Sequence, residues 1–318
     1  MSRTLSTEFN PSSAASCYYV RYYVGSPRDE CFKNNKTCIV NSFSSIGCLN
    51  FGFNEYLTRI YPYCNIAGRR KREEGCSYAV KEDRAVPGEC IFNYKKNKDG
   101  GVGDEEVPVI ATIISQYAYG RAFTENSKFY PLDLQKCDED IRSNVKYDTE
   151  NARKEYFRRG IRKLETELLK PGFKDIRYIV IPYLLGNKNR DVWRKYHLPL
   201  LRNLAKYMSY FNKEVIVCVY QSVFEYMTYY DSATAKLFSM MTKVTSTDIV
   251  SGLKEEAIKY CGDDDDFQVD TPAMDAADDD DNSMNEWDVY SKKAYSKVGW
   301  DYAPKKIPGT ILEKSNSV

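Results

Sequence analysis

The sequence predicts an α/β protein, a three-layer α/β/α arrangement around a mixed sheet. Strand-like and helix-like segments alternate along the first 220 residues. Several of the strand segments are continuous apolar runs with no period of two, as expected of strands covered by helices on both faces. Three of them lead into loops rich in small residues or marked by glycine. In such sheets ligands sit beyond the strand C-termini.

Residues 1–16, rich in Ser, Thr, Ala and Pro, are expected to form a loose N-terminal arm. Residues 17–24 (CYYVRYYV) read as a strand that ends at Gly25-Ser26-Pro27. A second, short β-branched strand spans 38–40 and ends at Asn41. A loop containing Ser42, Ser44, Ser45, Gly47, Asn50 and Gly52 follows. Phe53, Tyr56, Leu57 and Ile60 then recur at helical spacing from about Asn54 until Pro62. Strand, small-residue loop and helix N-terminus together point backbone N–H groups at an anion, although an ordinary connection has the same shape. The basic cluster at 69–72 reads more readily as a solvated loop than as a contact site.

Residues 89–94 and 108–115 (PVIATIIS) are further strands, the second running straight into Gln116-Tyr117-Ala118-Tyr119-Gly120. A helix is predicted over 149–170, with Ala152, Tyr156, Ile161, Leu164 and Leu168 on one side and Pro171-Gly172 as its stop. A strand over 176–182 (IRYIVIP) leads into LLGNKNRD. A helix over 193–208 and a strand over 214–220 follow. Residues 223–261 read as one or two additional helices. The organisation expected is thus an arm, a body over 17–222, a helical extension over 223–261 and a tail over 262–318.

The net charge of +1 conceals an asymmetry: the chain from Asp263 onward carries −8 and the rest +9. Ten Asp between 263 and 281, with almost no apolar residues, predict disorder there. Trp287, Tyr290, Tyr295, Trp300 and Tyr302 give the tail the means to dock on the body or on a protein partner. The basic body favours phosphate-bearing ligands. Nucleic acid is not expected as a partner, because no motif for it is present. A single histidine, His197, excludes a multi-histidine metal site and argues against a Ser-His-Asp triad; packing is its expected role. Ten scattered Cys without CxxC spacing fit reduced thiols in a cytoplasmic or nuclear setting. No apolar window is long enough to span a membrane, and residues 1–11 lack the core of a signal peptide. No motif requires a metal or an organic cofactor.

Between Cys17 and Gln221 the chain resembles a macro domain, the ADP-ribose-binding α/β/α module. Three segments carry the resemblance in the family's order: IVNSFSSIGCLNFGFNEYL with RIYP behind it, VIATIISQYAYG, and YIVIPYLLGNKNRDVW. It implies that Asp29, 12 residues before Asn41, receives the adenine amino group, although Arg28 stands where the family has glycine. The first loop would contribute Asn41, Asn50, Phe51 and Gly52, with Asn50 in place of the first glycine of Gly-x-Gly. The central strand would contribute Gln116 and Tyr117. The second loop would contribute Gly186, Asn187, Lys188 and Asn189 around the diphosphate, with Leu185 and Asn187 where small residues are usual. Lys188 and Arg190 either pair with phosphate or belong to a solvated turn. The Lys and Asp of the family's glycohydrolases correspond to Gln116 and Asn189, and two amides cannot act as nucleophile and acid–base group. The resemblance implies binding of ADP-ribose, its 1″-phosphate or ADP-ribosylated protein, and leaves hydrolysis open, with no catalytic residue singled out. The alternative is an inactive macro-like fold that serves as a protein-interaction scaffold.

Overall fold

The computed structural model describes residues 19–50, 52–95, 107–124, 137–186 and 189–259. The expected N-terminal arm and the acidic tail lie outside the described residues. Seven strands form one sheet: β1 (Val20–Val24), β2 (Thr37–Ser44), β3 (Cys90–Asn93), β4 (Val109–Gln116), β5 (Tyr178–Pro182), β6 (Glu214–Val219) and β7 (Thr242–Val244). Their order is β3-β4-β2-β5-β6-β1-β7. All pairs are parallel except β3 with β4, which is antiparallel. The sheet is therefore mixed and flanked by helices, as the apolar runs indicated.

Both faces of the central strands are apolar, which is why the period of two is missing from their sequences. On β2, Cys38 and Val40 enter one core while Ile39 enters the other. On β6, Val215, Val217 and Val219 face one core and Ile216 and Cys218 the opposite one. The helices α1 (Gly52–Ile60) and α2 (Ile66–Arg69) follow β2, and α3 (Glu139–Val145) and α4 (Glu150–Leu168) follow β4. Phe53 and Leu57 of α1 close the second core, and Phe157, Ile161, Leu164 and Leu168 of α4 close the first. Thr149 caps α4 by accepting from the Ala152 N–H at 3.2 Å, satisfying one of the four orphan donors of a helix start.

After β5 the chain runs through α5 (Arg190–Val192), a π-helical turn (Trp193–His197) and α6 (Leu198–Ser209). The helix thus begins earlier than its periodicity predicts. Pro199 sits inside this run; its missing N–H and its ring obstruct a regular i→i−4 ladder, and the turn before it is widened. Residues 221–259 hold α7 (Gln221–Tyr230), α8 (Ser232–Ser239), β7 and α9 (Ser246–Lys259). The sequence predicted helices alone here. β7 escaped because three residues, two of them exposed, carry no apolar signal. Lys213 is buried, with its ammonium donating to the carbonyls of Phe173, Lys174 and Ile176 at 2.8–3.0 Å, so that all three of its hydrogens are used. Eight cysteines among the described residues are free thiols. No helix among the described residues is long and apolar enough to cross a membrane.

His197 is the packing residue of the π-turn. It is 2% exposed and stacked on Phe157 with centroids 3.9 Å apart. Burial, aided by the charge of Lys154, lowers its pKa from 6.5 to about 3. The unfolded chain takes up this proton below pH 6.5 and the folded chain does not until about pH 3. The stabilisation is therefore complete above pH 6.5 and is lost as pH falls. By linkage about 2 kcal/mol disappears between pH 7 and pH 5. Urea unfolding at the two pH values should show this loss in the wild type, and His197→Phe, which keeps the stack on Phe157, should remove most of it.

Candidate functional site

β2 and β5 are neighbours only over Thr37–Ile39 and Tyr178–Val180. Beyond Ile39, β2 continues to Ser44 along β4, while β5 continues through Ile181 and Pro182 along β6. The two strands part at their C-terminal ends. From β2 the chain proceeds toward β4, and from β5 toward β6, so the gap lies at a topological switch point. The loop after β2 starts at this parting, and the loop after β5 reaches back toward β4, where Gly186 meets Ser115.

The loop after β2 is fastened from behind. Ser45 N and Ile46 N donate to the carbonyls of Gln116 and Tyr117, and Arg70 Nη1 donates to those of Ser44 and Gly47 at 3.0 and 2.8 Å. A Cβ at Gly47 would stand 2.1 Å from the Tyr119 hydroxyl oxygen, so close approach requires glycine here. Arg69 donates to Asn93 Oδ1 at 3.0 Å. The front half of the basic cluster is thus structural.

β2 does not end at Asn41, as the sequence suggested, but three residues later. Asn41 is 2% exposed, and its amide donates to Asn54 Oδ1 at 2.5 Å. Asn54 donates in turn to Asn50, and Asn50 to Asn65 Oδ1 at 2.9 Å. Asn65 caps α2 by accepting from the Gly68 N–H. Two of the predicted ligand residues, Asn41 and Asn50, are therefore links in a chain of four amides. Gly52 opens α1 with a φ of +54°. Phe51, Asn187 and Lys188 lie outside the described residues.

In the loop after β5, Leu184 and Gly186 both have left-handed backbones, φ +61° and +73°. For Leu184 this costs about 1–2 kcal/mol. Burial of Tyr183, Leu184 and Leu185 in the first core holds the conformation. Gly186 lies against β4, where an added Cβ would be 3.0 Å from Ser115 Oγ. Asn189 is the cap of α5: its side chain accepts from the N–H groups of Asp191 and Val192 at 2.9 and 3.4 Å.

The loop after β4 is held by two residues that sequence reasoning missed. Asp148 is fully buried and accepts from the N–H groups of Tyr117 and Ala118 at 3.0 and 3.2 Å. Arg153 binds the same carboxylate through Nε and Nη2 at 3.1 and 2.6 Å, and also donates to the carbonyls of Ala118, Gly120 and Arg121. Its Nη1 reaches Gln116 Oε1 at 3.4 Å. Gln116 and Tyr117 are thus held at the end of β4 by a clamp whose two members showed no motif, and the Tyr117 side chain is buried with Ile46, Tyr78 and Ile141.

Asp29 lies at the end of β1, beyond β6 from the crevice. Its Oδ2 accepts from the Tyr23 hydroxyl at 2.8 Å and from Ser26 N at 3.0 Å, while Oδ1 makes no hydrogen bond among the described residues. Arg28 beside it stacks on Tyr56 of α1, with its guanidinium carbon 3.0 Å from the ring centroid. Among the described residues, no group of three or more His, Cys, Asp or Glu side chains is placed to hold a metal.

No protein-family model and no curated protein matches the chain. Among solved structures, Alphavirus P23pro-zbd is similar over 74% of this chain and 24% of that one, at 10% identity and a TM-score of 0.30. The chain spans about a quarter of that structure's length, and the likeness is too distant to assign a family.

Removing one member of the Asp148–Arg153 pair leaves the other buried and uncompensated, at a cost of about 3–5 kcal/mol. Arg153→Met should lower unfolding stability by that amount. Asp148→Leu/Arg153→Met removes the unpaired charge but leaves the Tyr117 and Ala118 N–H groups without acceptors, so it should recover only part of the loss, and denaturant titrations of the two variants check the difference.

Proposed function

We propose that the crevice between β2 and β5 binds ADP-ribose, its 1″-phosphate or an ADP-ribosylated protein, in the manner of a macro domain. The observation that carries this reading is the parting of the two strands at the switch point. It separates the starts of the loops after β2 and β5. Those are the two loops that the sequence resemblance assigns to the diphosphate and the distal ribose. Left-handed Gly52 keeps the backbone at the start of α1 free of a Cβ atom, which lets an anion approach N–H groups closely, whereas Gly186 is packed against Ser115 of β4. Asp29 stands three strand steps from β2, roughly 14 Å at ordinary strand spacing. A ligand holding the crevice at one end and Asp29 at the other must be extended, as a nucleoside diphosphate is. The free Oδ1 of Asp29 is an acceptor for an amino group.

Binding, rather than cleavage by the glycohydrolase route, is the part of the family's activity that these residues suit. Gln116 is engaged by Arg153 and Asn189 caps a helix, so neither supplies a nucleophile or an acid. A second reading, a scaffold for a protein partner, is favoured by the consumption of Asn41 and Asn50 in the amide chain.

Titration calorimetry of the full chain with ADP-ribose should detect binding, and Asp29→Asn, which retains an acceptor for Ser26 N, should weaken it about tenfold or more, the value of a lost charge-assisted hydrogen bond. Absence of heat at millimolar ADP-ribose with a folded chain would leave the scaffold reading in its place.

A further inference from the structure

The outer side of α4 and of the helical run that ends in α6 is cationic, and it takes no part in the crevice. Both helices cover the first core, which Phe157, Ile161 and Leu164 share with Leu198, Leu201 and Ala205, and the stack of Phe157 on His197 sets them side by side. Arg162 and Lys163 of α4 are exposed, as are Lys195 and Lys206 of the second run, and none of the four makes an ion pair among the described residues. The stretch Trp193–Ser209 contains no Asp or Glu. On α4, Glu155 is taken by Arg158 at 2.7 Å and Glu167 by Lys170 at 2.6 Å. Burial pushes up the carboxyl of Glu165 beside Arg162, which weakens it as a counter-ion. Lys154 Nζ lies 5.9 Å from the Tyr196 ring, and Arg158 and Arg162 act on the same phenol, so the charges of the two helices meet on one face. Like charges gathered in this way repel one another until an anion is placed opposite them.

The chain carries such an anion itself, in the ten Asp of residues 263–281, which begin just beyond the end of α9. The direction of α9 brings them to the right edge. The Ile249 carbonyl accepts from the Tyr178 hydroxyl at 3.2 Å, and a Cβ on Gly252 would stand 2.3 Å from that hydroxyl oxygen. Tyr178 is the first residue of β5, so α9 passes the N-terminal ends of the strands with its second half still to come. α4 and α6 finish at the same edge, since their last residues lead toward the starts of β5 and β6. We infer that the acidic segment 263–281 docks on the cationic face of α4 and α6 in its own chain. The inference is independent of what the crevice binds. From Lys259 an extended chain to Asp281 reaches about 70 Å, more than twice the roughly 28 Å length of α4, so the segment can round the edge and lie along the helices. Surface ion pairs are weak singly and screened by salt, but tethering holds the anion at an effective concentration of around millimolar. A free polyanion then meets a face whose charge is already neutralised.

Acetylation of lysines in the full chain, followed residue by residue with mass spectrometry, tests the docking. A variant with every Asp of 263–281 replaced by Asn leaves the body unaltered, and its thermal unfolding confirms that it is folded. Lys163, Lys195 and Lys206 should be acetylated about threefold faster or more in this variant than in the wild type, because the tethered anion no longer shields them. Lys71 and Lys81, in the segment between α2 and β3, should keep their rates. Salt at ~1 M, where the Debye length is about 3 Å, should bring the wild-type rates toward those of the variant. Carbodiimide coupling of the wild type should join carboxylates of 263–281 to Lys163, Lys195 or Lys206, and in a mixture of isotopically light and heavy chains the links should fall within single chains. Links between chains would overturn the inference in favour of a second copy. Equal acetylation rates in wild type and variant would also overturn it, and an oligonucleotide that slows both alike would assign the face to nucleic acid. Protection of Lys71 and Lys81 as strong as that of Lys163 would overturn it too, by showing that the segment has no particular seat.

Discussion

The short pairing of β2 with β5 is the constraint on which the rest of the site depends. Three residue pairs join the strands, and then each follows its other neighbour. Had the ladder continued to Pro182, the loops after β2 and β5 would abut and no gap would lie between them. Parallel strands force each onward connection to cross back over a face of the sheet, so β2 and β5 send their helices to different places. Around the gap, the buried faces are satisfied by ordinary aliphatic packing. The loops facing it need specific polar fastening, because their backbone groups have no ladder to join.

That fastening is done by buried and half-buried polar side chains. Asp148 and Arg153 hold the loop after β4, Arg70 the loop after β2, and the four-asparagine chain ties Asn41 on the sheet to α1 and the start of α2. A lone buried Asp148 would be strongly unfavourable. With two backbone donors and a bidentate guanidinium it is fully satisfied, and the loop it grips is fixed relative to α4. Lys213 does the same at the opposite end of the sheet, gathering three carbonyls of the turn before β5. These contacts define where the loops are, so the crevice owes its shape to residues behind it rather than to those lining it.

The strands of the central sheet were legible because apolar runs such as IRYIVIP and PVIATIIS have few other uses in a chain of this polarity. The helices over α4 and α6 were legible from their spacing. β7 was not, since its register comes from pairing with β1 and not from its own residues. The first three residues of the Arg190–Ser209 run were hidden by Asn189 and Arg190, which look like loop residues until the asparagine is seen capping the helix. The site divides in the same way. That Asn41, Gln116 and Gly186 stand near strand ends could be read locally. That Asn41 spends its amide on Asn54, or that Asp148 reaches back 31 residues to Tyr117, depends on tertiary contacts with no local signature.

The polar groups that remain uncommitted are unevenly distributed, and this bears on how the site discriminates. Around the β2 and β4 ends, Asn41, Asn50 and Gln116 are engaged, so recognition there falls to backbone N–H groups, which read a shape and a negative charge but little else. At the β1 end, Asp29 Oδ1, Arg28 Nη1 and the Tyr61 hydroxyl have no hydrogen-bond partner among the described residues. Side chains distinguish functional groups where backbone cannot, because a buried carboxylate or guanidinium left unpaired by the wrong ligand costs more than a missed contact. For the proposed ADP-ribose ligand, such an arrangement would place selectivity at the nucleoside end and tolerance at the switch point. A free ADP-ribose derivative and one attached to a protein through its distal ribose would then be held alike.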